Sequence, residues 1–126
     1  MSKRSFYSDK LPKPVAPYCH AARAGGLMFL SGMLSQDPAT GKLVLDDIQS
    51  QTRRILTNMR ALLGDLSFEM TDVAKVTIFL TDMSQFKLVN EVYREFFAGE
   101  PPARSCVGVA ALPLGALIEI EAIAGA

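Results

Sequence analysis

The chain has 126 residues, of which 49% are hydrophobic and 21% are charged, and this predicts one domain over residues 1–126. Thirteen Lys and Arg balance thirteen Asp and Glu, so the net charge is zero at pH 7. No overall field therefore draws the protein toward nucleic acid or an anionic membrane. Any anionic ligand must be bound by local groups.

Cysteine and histidine usage narrows the class further. Cys19 and Cys106 are too few for a disulfide framework and have no partner at C-x-x-C spacing. Zinc is not expected, because His20 is the only histidine. The basic N-terminus is followed by polar residues and prolines, and no run of about eighteen apolar residues occurs in the chain. A soluble, reduced, cytoplasmic protein is expected.

The first part of the chain predicts strands separated by turns. A short strand near residues 4–7 leads into a proline-rich extended connector over residues 10–17. Strands at residues 19–24 and 27–33 flank a Gly-Gly dipeptide, which favours a tight hairpin turn. Residues 37–42 have the composition of another turn.

Two helices are predicted from apolar residues that recur at helical spacing. The first carries an apolar stripe from Ile48 to Leu66, and Asp46 or Asp47 is its N-cap. The second has Ser84 as its N-cap. Its apolar face is formed by Phe86, Val89, Tyr93, Phe96 and Phe97.

Three further strands complete the pattern. Residues 73–80 are rich in β-branched side chains, and residues 104–110 and 117–124 read as two more strands. The order is strand, hairpin, helix, strand, helix, strand, strand. This order predicts an α+β domain in which two helices cover one face of a mixed sheet.

The last strand is apolar on both faces. Ile118, Ile120, Ala122 and Ala124 share the face predicted to pack on the helices. The other face mixes two apolar side chains with two carboxylates: Leu117, Glu119, Glu121 and Ile123. A sheet face this apolar is rarely left in water, so we expect it to be buried against other copies of the chain.

Two residue types on these strands suggest chemistry. The guanidinium of Arg104 matches a carboxylate bidentately, although an ordinary interface salt bridge is the alternative. Glu119 and Glu121 point the same way, and a carboxylate in a partly apolar site can hold a raised pKa and deprotonate water. Alternatively, one or both are solvated or paired with arginines of a neighbouring subunit.

Other candidates are weaker. Cys106 has no neighbour that would generate a thiolate, so a small buried thiol is the preferred interpretation. His20 is interpreted as a hydrogen-bonded structural residue. Tyr18 either presents its hydroxyl to a ligand or only packs. Ser31-Gly32 either lets a ligand approach the backbone closely or marks a bulge. No phosphate-binding glycine motif occurs.

Several segments match one known family. The most specific are Pro102-Ala103-Arg104-Ser105-Cys106-Val107, Leu112-Pro113 and Ile118-Glu119-Ile120-Glu121-Ala122-Ile123-Ala124. Supporting segments are Pro17-Tyr18, Phe29-Leu30-Ser31-Gly32, Gln51-Thr52-Arg53, Val76-Thr77-Ile78-Phe79-Leu80, Val89-Asn90-Glu91-Val92-Tyr93 and Phe96-Phe97. On these segments the chain resembles the YjgF/YER057c-type Rid family, the reactive intermediate deaminases, from about residue 18 to residue 124.

The resemblance implies a chorismate-mutase-like (bacillus-type) subunit in a homotrimer, with the sheets forming a central barrel and three sites between subunits. It also implies hydrolysis of 2-imino acids or their enamine tautomers, such as 2-aminoacrylate and 2-iminopropanoate, to 2-oxo acids and ammonia without a cofactor. Arg104 would clamp the substrate carboxylate, and Glu119 would position the attacking water. The pocket would be lined by Tyr18, Ser31, Gly32, Asn90 and Cys106.

The chain departs from the family pattern around the pocket. Ala16 stands where many members have Gly, and Met33 replaces a frequent Gln. The segment at residues 98–101 is shorter than in the best-known imine deaminases and is similar in length to members associated with aminoacrylate removal. A different pocket rim is therefore expected.

Two other functions remain open at this point. The same pocket would serve equally for non-catalytic binding or sensing of small carboxylate metabolites. Older naming of the family suggests a ribonuclease, but the neutral charge and the single histidine argue against it.

Overall fold

The structure is a computed structural model that describes residues 2–125; Met1 and Ala126, the ends of the predicted domain, lie outside the described residues. Strands and helices follow one another in the predicted order. Their bounds are β1 Arg4–Phe6, β2 Ala21–Ala24, β3 Leu27–Met33, α1 Ile48–Asp65, β4 Val73–Leu80, α2 Phe86–Phe96, β5 Ala103–Gly108 and β6 Ile118–Gly125.

The strands form one mixed sheet in the order β1-β2-β3-β6-β4-β5. Neighbouring strands are antiparallel except β4 and β5, which are parallel and are joined through α2. A parallel pair needs such a crossover, whereas β2 and β3 are joined by the predicted Gly-Gly turn. The mixed α+β architecture expected from the sequence is thus confirmed.

Both helices pack on one face of the sheet and bury its core. The predicted alternation in β6 is confirmed, because Ile118, Ile120, Ala122 and Ala124 are all buried. They pack in one cluster with α1 residues such as Leu56 and with Val89 of α2. Burying each large aliphatic side chain of this kind contributes about 1.5–3 kcal/mol.

The opposite surface, which we call the outer sheet face, stays partly open. In the sheet register Glu119 pairs with Phe79, and Phe79 in turn pairs with Val107. Phe29 pairs with Ile123 of the same face. Val107 and Phe29 remain 42% and 40% exposed, so the predicted apolar patch is present.

The helix starts differ in part from the sequence expectations. Asp47 is the N-cap of α1, and its side chain accepts a hydrogen bond from the Ser50 amide. The prediction that Ser84 caps the second helix is wrong. Instead, the Asp82 carboxylate accepts from the amide and hydroxyl of Ser84 and caps a short 3-10 turn that leads into α2. The Ser84 hydroxyl is thus directed to Asp82, and α2 begins at Phe86 without a side-chain cap.

The strand ends shift by one or two residues from the predicted ranges. The first strand stops at Phe6, and β2 begins only at Ala21, so Tyr18 and Cys19 lie in the irregular connector. β5 ends at Gly108. Within residues 2–125, neither helix has a stretch long and apolar enough to cross a membrane.

Candidate functional site

Four of the predicted site residues line a common cavity of about 550 Å³ beside the bulged end of β3. They are Tyr18, Ser31, Gly32 and Glu119. Much of the remaining wall is apolar, with Leu11 and Val15 from the connector among its members. The structure therefore brings together, from one chain, a carboxylate, two hydroxyls and a glycine backbone.

The Ser31-Gly32 segment is a bulge, one of the two predicted alternatives. The pairing of β3 with β6 shifts register between Leu30 and Met33. Ser31 is held by its amide, which donates to the His20 carbonyl at 3.1 Å, and by its hydroxyl, which donates to the Cys19 carbonyl at 2.6 Å. The bulge fixes this wall of the cavity.

The absence of a side chain at Gly32 makes room for the Glu119 carboxylate. A Cβ added to Gly32 would overlap the Oε2 atom of Glu119. The close approach expected at this glycine is therefore made by a side chain of the neighbouring strand. A larger residue at position 32 would therefore displace the Glu119 carboxylate from the β3 backbone.

Burial raises the pKa of the Glu119 carboxyl above its usual value, and the charge of Glu121 raises it further. Glu119 is half-buried, whereas Glu121 two residues later is exposed. β6 thus carries one carboxyl, Glu119, that binds a proton more readily than usual, and a second carboxyl, Glu121, that is exposed to solvent. A raised pKa makes this carboxyl a stronger proton acceptor than an ordinary glutamate.

The connector that walls the cavity is held by His20, as predicted for a structural histidine. Its Nδ1 accepts from the Ser8 amide at 2.9 Å, and its Nε2 lies 2.9 Å from the Pro12 carbonyl oxygen. Because a carbonyl only accepts, Nε2 carries the proton and the ring is bound in one neutral tautomer. Residues 8–12 are thereby tied to the sheet.

Arg104 and Asn90 lie in a second cluster, which does not line the cavity. Nη1 of Arg104 donates to Oδ1 of Asn90 at 2.7 Å. The guanidinium carbon lies 4.8 Å from the ring centroid of Tyr93 and 5.3 Å from that of Phe86. No carboxylate of residues 2–125 is within salt-bridge distance of Arg104. The salt-bridge alternative is therefore not realised within this part of the chain.

The two clusters lie on opposite faces of the sheet. Directly paired residues of neighbouring strands point to the same face. Arg104 pairs with Val76, a core residue on the helix side, whereas Glu119 pairs with Phe79 on the outer sheet face. A single chain does not bring Arg104 and Glu119 to one ligand.

Cys106 shares the Arg104 side of β5 and remains a thiol. Burial raises the pKa of Cys106, and the positive charge of Arg104 only partly offsets this. The predicted interpretation as a small, unactivated thiol agrees with this direction. Across residues 2–125, no three His, Cys, Asp or Glu side chains are grouped so that they could hold a metal ion.

Sequence reasoning missed Tyr93 and Phe86 as neighbours of Arg104. Both were assigned only to the apolar face of the second helix. Burial raises the pKa of Tyr93 to about 12, against a smaller lowering by Arg104. The spacing of Phe86, Asn90 and Tyr93 by four and three residues places all three on one face of α2, and it is the signal that would have grouped them.

A protein-family model and individual relatives match nearly the whole length of the chain. A family model described as endoribonuclease L-PSP matches residues 8–126 of the chain. Reactive Intermediate Deaminase A, chloroplastic, of Arabidopsis thaliana is 44% identical over 98% of this chain and 66% of that protein. The 2-iminobutanoate/2-iminopropanoate deaminase of Dermatophagoides farinae is 38% identical over 96% of this chain and 94% of that protein.

A solved structure shows the same fold at similar sequence identity. The crystal structure of E. coli TdcF with bound serine superimposes with a TM-score of 0.91 at 36% identity, and the match covers 98% of both chains. The ligand of that protein carries a carboxylate.

Proposed function

This chain belongs to the endoribonuclease L-PSP family, which includes the Rid proteins, and on this premise we propose that it is an imine deaminase. It hydrolyses 2-imino acids and their enamine tautomers, such as 2-aminoacrylate and 2-iminopropanoate, to 2-oxo acids and ammonia. The relatives named as deaminases support this activity. The reaction needs only water as co-reactant, and we place it in the cytoplasm without a cofactor.

One observation carries the proposal: Arg104 is held by neutral groups and has no carboxylate partner among residues 2–125. A guanidinium left unneutralised is an anchor for a ligand's carboxylate, which it binds with two parallel hydrogen bonds. Asn90 and Cys106 complete this part of the site. The other part consists of Tyr18, Ser31, Gly32 and Glu119.

Glu119 is the proposed base. Acting on the iminium form of the substrate, it takes one proton from a water molecule as the water oxygen bonds to the C=N carbon and the C=N π electrons move to nitrogen, which gives the neutral carbinolamine. The Glu119 carboxyl then returns its proton to the amino group of the carbinolamine, the C–N bond breaks and ammonia leaves. The Glu119 carboxylate accepts the hydroxyl proton as the C=O bond forms and passes it to the departing ammonia, so the products are the 2-oxo acid and ammonium. Positioning and charge complementarity supply the rate enhancement, with no covalent intermediate.

The site is completed by a second copy of the chain. Since Arg104 and Glu119 face opposite sides of the sheet, we place each site between two subunits of a homotrimer with a chorismate-mutase-like barrel. The exposed apolar side chains of the outer sheet face support burial in such an assembly. Sedimentation equilibrium at micromolar concentration is expected to give a trimer, and a monomer would remove the basis for a shared site.

Ribonuclease activity, which the family description names, receives less support. The chain has no net positive charge to bind a phosphate backbone. Its one histidine is buried, with both ring nitrogens in hydrogen-bond contact with the connector. That imidazole is therefore not free to act as an acid or base.

The activity is tested with a panel of enzymatically generated 2-imino acids, assayed for loss of the imine. Glu119→Gln is expected to lower turnover about a hundredfold or more, with little effect on the binding of a 2-oxo acid. Arg104→Lys is expected to weaken 2-oxo acid binding and to lower turnover, with a loss of about 2 kcal/mol or more in transition-state stabilisation, because the bidentate fork is lost.

Glu121→Gln is the matched control for this test, since it removes a neighbouring carboxylate of the same strand. It is expected to stay within a few-fold of wild type. Wild-type protein that binds 2-oxo acids but gives no imine loss above the spontaneous rate would leave only a binding or sensing function. An inactive Glu121→Gln beside an active Glu119→Gln would show that the base is misassigned.

A further inference from the structure

The surroundings of Arg104 all come from one face of α2. Phe86, Asn90 and Tyr93 follow one another at spacings of four and three residues, which align side chains along a helix. The two rings lie 5.3 Å and 4.8 Å from the guanidinium carbon, and Asn90 accepts one hydrogen bond at 2.7 Å. The arginine therefore leaves β5 and is held against the helix by three uncharged groups.

Tyr93 is the most firmly fixed of the three. Its side chain is only 7% exposed, and its ring packs on Phe97 with centroids 4.6 Å apart. Phe86 and Asn90 are only partly buried. The ring of Tyr93 is thus the part of this surface that is least free to move.

The hydroxyl of Tyr93 takes no part in these contacts. Its oxygen is buried and has no hydrogen-bond partner among residues 2–125. What Arg104 receives from Tyr93 is therefore the face of an aromatic ring, which attracts a cation without neutralising it. A carboxylate in the same place would have competed with a ligand for the guanidinium.

We propose that Tyr93 is a positioning residue: its ring face, and not its hydroxyl, holds the Arg104 guanidinium in the orientation that receives a ligand's carboxylate. A long arginine side chain otherwise samples many rotamers, and a bidentate contact requires one plane. This inference rests on the proposed function only in taking the ligand to be a small carboxylic acid.

The test measures pyruvate binding by calorimetry and imine hydrolysis by steady-state kinetics, with thermal unfolding as the check on folding. Tyr93→Leu removes the ring and is expected to raise the Kd for pyruvate and the KM roughly tenfold, with a much smaller change in kcat. Tyr93→Phe keeps the ring and is expected to stay within twofold of wild type in both constants.

Two comparisons separate positioning from packing. Val92→Ala truncates a buried α2 side chain that lies off the face carrying Phe86, Asn90 and Tyr93, and it is expected to lower thermal stability but leave the Kd unchanged. In an Arg104→Gln background, Tyr93→Leu is expected to have no further effect on the Kd, because there is no guanidinium to hold. If Tyr93→Leu does not fold, Tyr93→Met, which removes the ring but keeps a flexible apolar side chain, is measured in its place.

Each outcome decides the inference. It is overturned if folded Tyr93→Leu binds pyruvate like wild type, if Tyr93→Phe loses as much as Tyr93→Leu, or if the loss persists without Arg104. It is also overturned if wild type binds no 2-oxo acid. Wild type that binds pyruvate but hydrolyses no imine refutes the proposed activity alone, and the binding series still decides the role of Tyr93.

Discussion

Glu119 lies where burial favours the protonated form of a carboxyl group. Its close contact with the backbone at Gly32 leaves little room for water on that side. A carboxylate in such a position costs folding free energy when it is charged. The same environment that prepares Glu119 for proton transfer is thus expected to lower the stability of the folded chain above acidic pH.

Glu119→Gln is accordingly expected to raise the thermal midpoint. Because the pKa of Glu119 is raised in the folded state, its favourable contribution is complete below the usual value of 4.5 and is lost as the pH rises through the raised pKa. The gain from Gln should therefore be small at pH 4 and grow toward pH 8. Thermal unfolding at several pH values measures it.

This comparison is best made with Arg104→Gln in both proteins, so that a guanidinium from a neighbouring copy does not stabilise the charged carboxyl. Glu100→Gln in the same background is the control, because that side chain is exposed and does not contribute to the raised pKa of Glu119. A gain that is the same at every pH would contradict the burial argument.

Individual candidate residues could be proposed from residue type and strand position. Residue type and position indicated Arg104 and the pair Glu119 and Glu121, and only the resemblance to the Rid family selected Glu119 from that pair. The surroundings of these residues could not be predicted from the sequence, since the contact of Arg104 with Tyr93 depends on how α2 packs beside β5. Likewise, the contact between Glu119 and Gly32 depends on a register shift between strands distant in sequence.

At the scale of elements, apolar periodicity predicted both helices and the core face of β6. Alternation and helical spacing report directly on which side chains can be buried together. Helix caps and the ends of strands were harder to predict from the sequence, because neighbouring polar groups compete for the same free backbone amides. The predicted cap Ser84 donates its amide and its hydroxyl to Asp82, and α2 begins at Phe86 without a side-chain cap.

The connector before β2 is held at two points, Ser8 and Pro12, by the side chain of His20. His20→Ala leaves the Ser8 amide and the Pro12 carbonyl without their partner, which is expected to cost about 1–3 kcal/mol of unfolding free energy. Since the connector walls the cavity, pyruvate binding should weaken as well. Urea denaturation measures the first effect, and amide exchange at Ser8 locates it.

Cys19→Ala is the control for this experiment, because it truncates the adjacent, partly buried side chain while leaving the His20 contacts in place. It is expected to lower the unfolding free energy less than His20→Ala and to leave exchange at Ser8 slow. Equal losses in the two variants would show that the imidazole does not hold the connector.

For the whole molecule, the sequence indicated self-association through the apolarity of both faces of the last strand. It did not indicate how the candidate residues divide between the faces. That division follows from the pairing of β5 with β4 and of β6 with β4, which puts Arg104 on the helix side and Glu119 on the outer sheet face. Strand order is set by long-range packing, which local patterns do not report.

Because Arg104 and Glu119 lie on different faces of the sheet, the two groups of a shared site can be removed in separate mutant subunits. Arg104→Lys subunits keep an intact Glu119, and Glu119→Gln subunits keep an intact Arg104. When the two inactive proteins are co-expressed in equal amounts, random assembly restores roughly a quarter of the sites in a closed ring. Complementation to about that level would show that each site draws on two subunits, whereas a mixture as inactive as its components would place both groups in one.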